Sequence, residues 1–374
     1  VSGPERIRIT HDDAYHPKVD EVLAKEGSFG MRPDQMAAMM NQGKKKVSFF
    51  YSSVFYTAVA GMLGALAGWA LIEPYFGEEM IRDIIKQGPD VAGADVLKLI
   101  VMAALLDLST VGLAACFIGA IDGLVSRNWT RGLVTGLIGL GIGVGGALVI
   151  MYPSGLLYNL MQHLAFVVSG RGEQGGEMAD LTAIGYVVHM VGRAAAWAPM
   201  GLVVGLGPAV AMRSKKLAFN GIVGGVLGSF LGGLLFDPMA SLLQGDEAWL
   251  SRGVGFACVG LGAGAMIGLV ENLAKSAWLH VQAGALAGKQ FILYKNPTVL
   301  GSSPKCEIYL FKDSAIEPKH AAIHTYGTRY EIEDLDSPAG TFVNGRKVTR
   351  QPLKNGDRIY LGETVLDFSE KESG

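Results

Sequence analysis

Charge is scarce in this chain. Of its 374 residues 18% are Asp, Glu, Lys or Arg, against 50% hydrophobic ones, which excludes an ordinary soluble globular protein and sets much of the surface against lipid. The charges nearly cancel, at a net −2 and a pI near 6.4. No basic stripe tracks a polyanion, so nucleic acid is excluded as a partner. Cysteine is almost missing: Cys116, Cys258 and Cys306 stand far apart in apolar runs, as buried free thiols would, and give neither a disulfide framework nor a metal site. Also lacking are a Walker loop, a dinucleotide fingerprint, metal-spaced His/Cys clusters and a nucleophile elbow. GLGIGVGG at Gly139–Gly146 lies inside an apolar run with no strand before it, so helix packing explains it better than phosphate binding. His163 and His189 are isolated. No catalytic residue, cofactor or metal ligand is assigned, and an enzyme is not expected.

Long apolar runs and glycine are abundant. A helix needs roughly 20 apolar residues to span hydrocarbon, and runs of that order at about 49–72, 97–124, 132–151, 183–212, 217–235 and 254–270 predict six spans in a transmembrane domain over 47–275. Residues 1–46 read as a polar arm with short helices at Pro17–Glu26 and Pro33–Met40. The basic clusters Lys44–Lys46, Arg127/Arg131, Arg213/Lys215/Lys216 and Lys275 all fall on one side of a six-span chain. The opposite loops carry Glu73, Glu78, Glu79 and Asp83, then Glu173, Glu177 and Asp180, then Asp237, Asp246 and Glu247. Both termini are therefore expected in the cytosol, with the protein in a bacterial inner membrane. Gly155–Val168 is apolar but too short to span, and is expected as a helix lying at or dipping into the outer interface.

The glycines repeat. Gly221, Gly225, Gly228 and Gly232 of the fifth run align with Gly132, Gly136, Gly139 and Gly143 of the third at an offset of 89, and Gly61, Gly64 and Gly68 join them in the first. Each run closes on a proline, at Pro74, Pro153 and Pro238. In the even-numbered runs Arg193, Gly201 and Gly205 match Arg252, Gly260 and Gly264, and Gly112 takes the place of Gly201. The expected unit is a two-helix hairpin present three times, packed through smooth glycine stripes in a pseudo-threefold bundle.

Few charges enter the apolar runs. Asp107 sits about ten residues into the second run, while Arg193, Arg252, Glu73 and Asp237 lie near the outer ends of theirs. One reading makes these interfacial ion pairs that tie repeats together, with Asp107 near Arg193. The other places a proton or ion path through Asp107.

After Lys275 the pattern changes, through an expected linker at 276–288, to short β-type runs separated by the turn signals Tyr326-Gly327, Asn344-Gly345, Asn355-Gly356 and Leu361-Gly362. Several strands in about 80 residues argue a β-sandwich, here 289–370. Leu300-Gly301, then Glu317-Pro318-Lys319-His320, then Asp334 to Gly345 and Leu353 to Ile359 resemble, in this order, a forkhead-associated (FHA) domain. The resemblance implies an eleven-stranded sandwich that binds phosphothreonine peptides through loops at one end, with His320, Gly340, Thr341, Asn344 and Gly345 shaping those loops. Gly301-Ser302 stands where the family has Gly-Arg. Glu317 replaces a serine three residues before His320, and Ser337-Pro338-Ala339-Gly340-Thr341 departs from Ser-x-Asn-Gly-Thr. A phosphate calls for a guanidinium and hydroxyl or amide donors. This site offers Ser302, an acidic Glu317 and the methyl of Ala339, with Lys319, Lys305 or Arg346 left to compensate.

The expected architecture is a six-span bundle of three hairpins followed by an all-β FHA-like sandwich. The expected function is a membrane-anchored scaffold, a subunit of a larger membrane complex, that docks protein partners at the cytosolic face largely without phosphate. Its partners are the bilayer, cytosolic-face proteins and homo- or hetero-oligomeric neighbours. The alternatives are a transporter or channel subunit with the tail as regulator, and a phosphothreonine-dependent receptor.

Overall fold

The computed structural model describes residues 52–75, 93–171, 181–242 and 248–371. The expected arm at 1–46, its Lys44–Lys46 cluster and the acidic residues Glu78, Glu79, Asp83, Glu173, Glu177, Asp180, Asp246 and Glu247 lie outside them. A helical unit ends at Lys275 and a separate unit begins at Ser276.

The helical unit consists of α1 (Ser53–Ile72), α2 (Gly93–Val125), α3 (Trp129–Val168), α4 (Ala183–Met212), α5 (Lys215–Leu242) and α6 (Ala248–Ala274). All six are long and apolar enough to cross a membrane. Large apolar side chains point outward from them, among them Leu133 at 64% and Val149 at 74% exposure, as on a surface solvated by lipid rather than water. The α2–α3 and α4–α5 connections are tight. Each passes through an arginine in the left-handed region, Arg127 at φ 54° and Arg213 at φ 51°, and Asn128 and Thr182 cap the following α3 and the later α4 by accepting from the Arg131 and Gly185 amides.

The helices close a ring in chain order: α1 packs on α6 and α2, α3 on α2 and α4, and α5 on α4 and α6. Contacts also join α2, α4 and α6, which places the even-numbered helices toward the axis. Gly155–Val168 is not a separate interfacial helix. It is the last third of α3, which runs 40 residues through Pro153, about 60 Å at 1.5 Å per residue. Proline costs one backbone hydrogen bond, but flanking turns and the neighbouring α4, whose Gly192 lies against Met161 of α3, hold the helix on its course.

Glycine sets the helix spacing. A Cβ on Gly225 would lie 2.0 Å from the carbonyl oxygen of Gly201, and one on Gly61 2.2 Å from that of Gly260, so the α4–α5 and α1–α6 backbones touch. Further along the same ladders, Gly228 and Gly232 meet α6, and Gly64 and Gly68 meet α2. The two ladders thus serve their neighbours in the same order. That of α3 does not: Gly132, Gly136, Gly139 and Gly143 all face α2, and α3 meets α4 elsewhere, through Gly146 against Val203 and through the close approach of Gly207 to Gly139. Close approach also lets hydroxyls reach across helices to glycine carbonyls, from Thr57 to Gly264 at 2.8 Å and from Ser109 to Gly68 at 2.9 Å.

The second unit is a sandwich of a six-stranded sheet, in the order β2-β1-β11-β10-β7-β8, and a five-stranded sheet, β4-β3-β5-β6-β9. The strands run β1 (Ala277–Ala283), β2 (Gln290–Ile292), β3 (Thr298–Gly301), β4 (Ile308–Tyr309), β5 (Ala321–Tyr326), β6 (Arg329–Asp334), β7 (Thr341–Val343), β8 (Arg346–Val348), β9 (Arg350–Leu353), β10 (Arg358–Leu361) and β11 (Thr364–Glu370). Residues 277–283, expected in a linker, form β1 between β2 and β11. Leu279 and Val281 enter the core there, at 0% exposure. The alternating His280 and Gln282 gave that strand a linker-like polarity, but both are buried on the other sheet face, where Gln282 donates to Asp367 at 2.8 Å. Asn344-Gly345 makes the β7–β8 hairpin with φ of 52° and 80°, both positive as a type I′ turn requires.

Candidate functional site

Of the loop residues that the sequence singles out, those between Gly301 and Thr341 are tied into one network. Gly301 ends β3 against the next loop, where a Cβ would lie 2.3 Å from the Pro318 carbonyl oxygen, so glycine is required by contact. Ser302 then donates its amide to Glu317 at 2.9 Å. His320 is wholly buried and braces two loops. Its Nδ1 accepts the Glu317 amide at 3.2 Å, and its Nε2 lies 3.3 Å from the Gly340 carbonyl and 3.1 Å from Ser337 Oγ. Burial holds this imidazole below its ordinary 6.5, against the pull of the Gly340 carbonyl and Asp334. It stays neutral near pH 7, with the proton on Nε2 facing Gly340.

Asp334 is the hub that sequence reasoning missed. Its carboxylate accepts from Ser337 Oγ at 2.5 Å, Thr341 Oγ at 2.6 Å and the Ser337 amide at 3.0 Å. An aspartate ahead of Ser and Thr in a turn was the available signal. Thr341 is fully buried and Ala339 is 8% exposed, so the first uses its hydroxyl internally and the second offers only a methyl. Asn344 and Gly345 are not in this network: Asn344 bonds Asp357 and the Arg358 amide, at 2.8 and 2.9 Å, bracing a different loop. The exposed rim is formed by Lys305, Lys319, Pro338 and Lys347. Lys347 was not expected. Its ammonium stands over Gly340, 3.0 Å from where a Cβ would be.

The charged residues of the helical unit sort differently from the sequence expectation. Arg193 does not pair with Asp107. It reaches Asp237 at 3.3 Å, with Tyr158 and His189 at 3.1 and 3.0 Å and the Phe236 ring 4.8 Å away. Arg252 pairs with Glu73. The two pairs are related: Arg193 and Arg252 each stand eight residues before the aligned Gly201 and Gly260, and Asp237 and Glu73 each stand five after Gly232 and Gly68. The corresponding residues at the α2–α3 seam are the apolar Ala104 and Leu148; the ion pair of that seam, Arg131 with Asp122 at 3.5 Å, lies beside the α2–α3 connection instead.

A family model described as the FHA domain matches residues 298–362. Over 100 residues the chain is 37% identical to a Corynebacterium jeikeium protein named oxoglutarate dehydrogenase inhibitor, a match covering 26% of this chain and 69% of that one. The chain belongs to the FHA domain family. It is also 33% identical over 105 residues to the glycogen accumulation regulator GarA of Mycolicibacterium smegmatis, covering 28% of this chain and 66% of the relative. Among solved structures, the FHA domain of a Chlamydia trachomatis protein is 29% identical, covering 26% of this chain and 100% of that one, with a TM-score of 0.25. The FHA domain is a phosphopeptide-binding interaction module rather than a catalytic one, and its known partners are proteins. The network around His320 belongs to this domain and the helical unit lies outside the family match.

Proposed function

We propose that this protein is a membrane-anchored scaffold: a glycine-packed bundle of three related hairpins holds the FHA domain at the cytosolic face, with both chain ends on that side. The domain docks a protein partner, largely without phosphate, inside a larger membrane complex of a bacterial inner membrane. The related ion pairs and the matched ladders of α1 and α5 support the repeat. The oxoglutarate dehydrogenase inhibitor and GarA, by their names, act on other cellular machinery, which supports protein docking as the role of the domain here.

The observation that carries phosphate independence is the chemistry of the loop end. His320, Ser337 and Thr341 are committed to internal bonds, and Ser302, Glu317 and Ala339 occupy the places where the resemblance leads one to expect phosphate contacts. Lys305, Lys319 and Lys347 leave a cationic rim that suits a carboxylate-bearing peptide, each exposed ion pair contributing about 1 kcal/mol or less. Capture from membranes with the intact protein in mild detergent tests this. The partner should be retained after phosphatase treatment and lost with Lys319→Glu/Lys347→Glu; release by phosphatase would contradict phosphate-independent docking.

A further inference from the structure

The helical unit holds a partly open pocket of about 50 Å3 lined from α1, α2, α4, α5 and α6. Its wall is nearly threefold. Val111, Met200 and Val259, each one residue before the aligned Gly112, Gly201 and Gly260, all line it. So do Trp197 and Phe256, which occupy matching positions and stack with ring centroids 5.8 Å apart. Asp107 breaks the pattern, because the aligned residues are Ala196 and Gly255. Packing at this position is thus satisfied by a methyl or by nothing, and it does not call for a carboxylate.

Two hydroxyls share the wall with Asp107, those of Thr110 and Ser229. Thr110 gives its proton to the Leu106 carbonyl at 2.7 Å, which leaves its oxygen lone pairs free to accept. The two nearby guanidinium groups are engaged elsewhere, Arg193 with Asp237 and Arg252 with Glu73. A carboxylate set among apolar side chains is disfavoured unless it takes up a proton or a positive charge compensates it.

We propose that Asp107, Thr110 and Ser229 hold one monovalent cation, bare or singly hydrated, in this pocket. One carboxylate balances one positive charge, whereas divalent ions gather several carboxylates and six or more oxygens. The volume admits an alkali ion with about one water. Trp197 and Phe256 add polarisable ring walls that tolerate a cation better than aliphatic ones do. The site is built from residues of the helical unit alone, so it does not depend on how the FHA domain chooses its partner.

The test is thermal unfolding of the intact protein in detergent at constant ionic strength, titrating Na+, K+ or Li+ against N-methylglucamine. Melting should rise saturably with at least one alkali ion, and Asp107→Asn should abolish that dependence. Ser229→Ala should raise the half-saturating concentration about threefold or more while leaving the saturated melting point close to that of the parent, and it carries the test if Asp107→Asn fails to fold. Identical melting in every cation, an unchanged alkali response in Ser229→Ala and Asp107→Asn, or a response to pH alone would overturn the assignment.

Discussion

Leucine in place of Gly225 or Gly228 breaks the bundle. The Cβ alone would lie 2.0 Å from the Gly201 carbonyl oxygen or 2.2 Å from that of Gly262, both backbone atoms of another helix that cannot rotate away. The seam must open along its length, releasing the Gly221–Gly205 contact as well, and a cost of about 3 kcal/mol or more follows. Gly233 is a poor control because it too is packed, with a Cβ 2.9 Å from Ala194 Cα. Gly141 and Gly145 serve better, since a Cβ at either meets nothing within 4 Å. Gly141→Leu should leave stability unchanged or raise it by up to about 1 kcal/mol through helix propensity. Monodispersity and melting of the purified variants in detergent check the contrast. Equal loss at Gly141 and Gly225 would remove glycine contact as the reason for the ladder.

Arg193→Ala has the next largest effect, because Asp237 is 7% exposed and would lose its guanidinium partner inside the bundle. Loss of one member of such a pair costs about 3–5 kcal/mol, whereas replacing both by apolar groups of fitting shape is often neutral. The protein already contains the apolar version. Ala104 and Leu148 stand at the corresponding places on α2 and α3. Arg193→Ala/Asp237→Leu should therefore recover most of the stability lost by Arg193→Ala, as read by urea or thermal unfolding of the three proteins. A double variant no better than the single one would show that the pair does more than neutralise itself, with Tyr158 and His189 as the remaining contacts.

The long helices and the sandwich were legible because their signals are local. Apolar length marks a span, and Asn344-Gly345 between β7 and β8 marks a hairpin wherever it occurs. What the sequence hid depends on distant partners. Pro153 reads as a terminator, but α3 continues past it because α4 packs alongside. Residues 277–283 read as a linker, but β11, over 80 residues later, pairs with them. Arg193 offered two acids in reach, Asp107 and Asp237, and periodicity cannot choose between partners on different helices. The same holds at the candidate site. The loop residues are recognisable by type and order, whereas the hub role of Asp334 and the position of Lys347 over Gly340 come from folding β6, β7 and β8 together. Asn344, grouped with the docking loops by sequence, instead holds Asp357.

Titration of the intact protein, reconstituted in nanodiscs, with matched phosphothreonine and unphosphorylated peptide libraries tests the docking account most directly. Acidic unphosphorylated peptides should bind through the Lys305, Lys319 and Lys347 rim, with phosphorylation changing Kd by less than about threefold, under 1 kcal/mol. Micromolar binding that appears only with phosphothreonine, and survives Lys347→Glu, would contradict it.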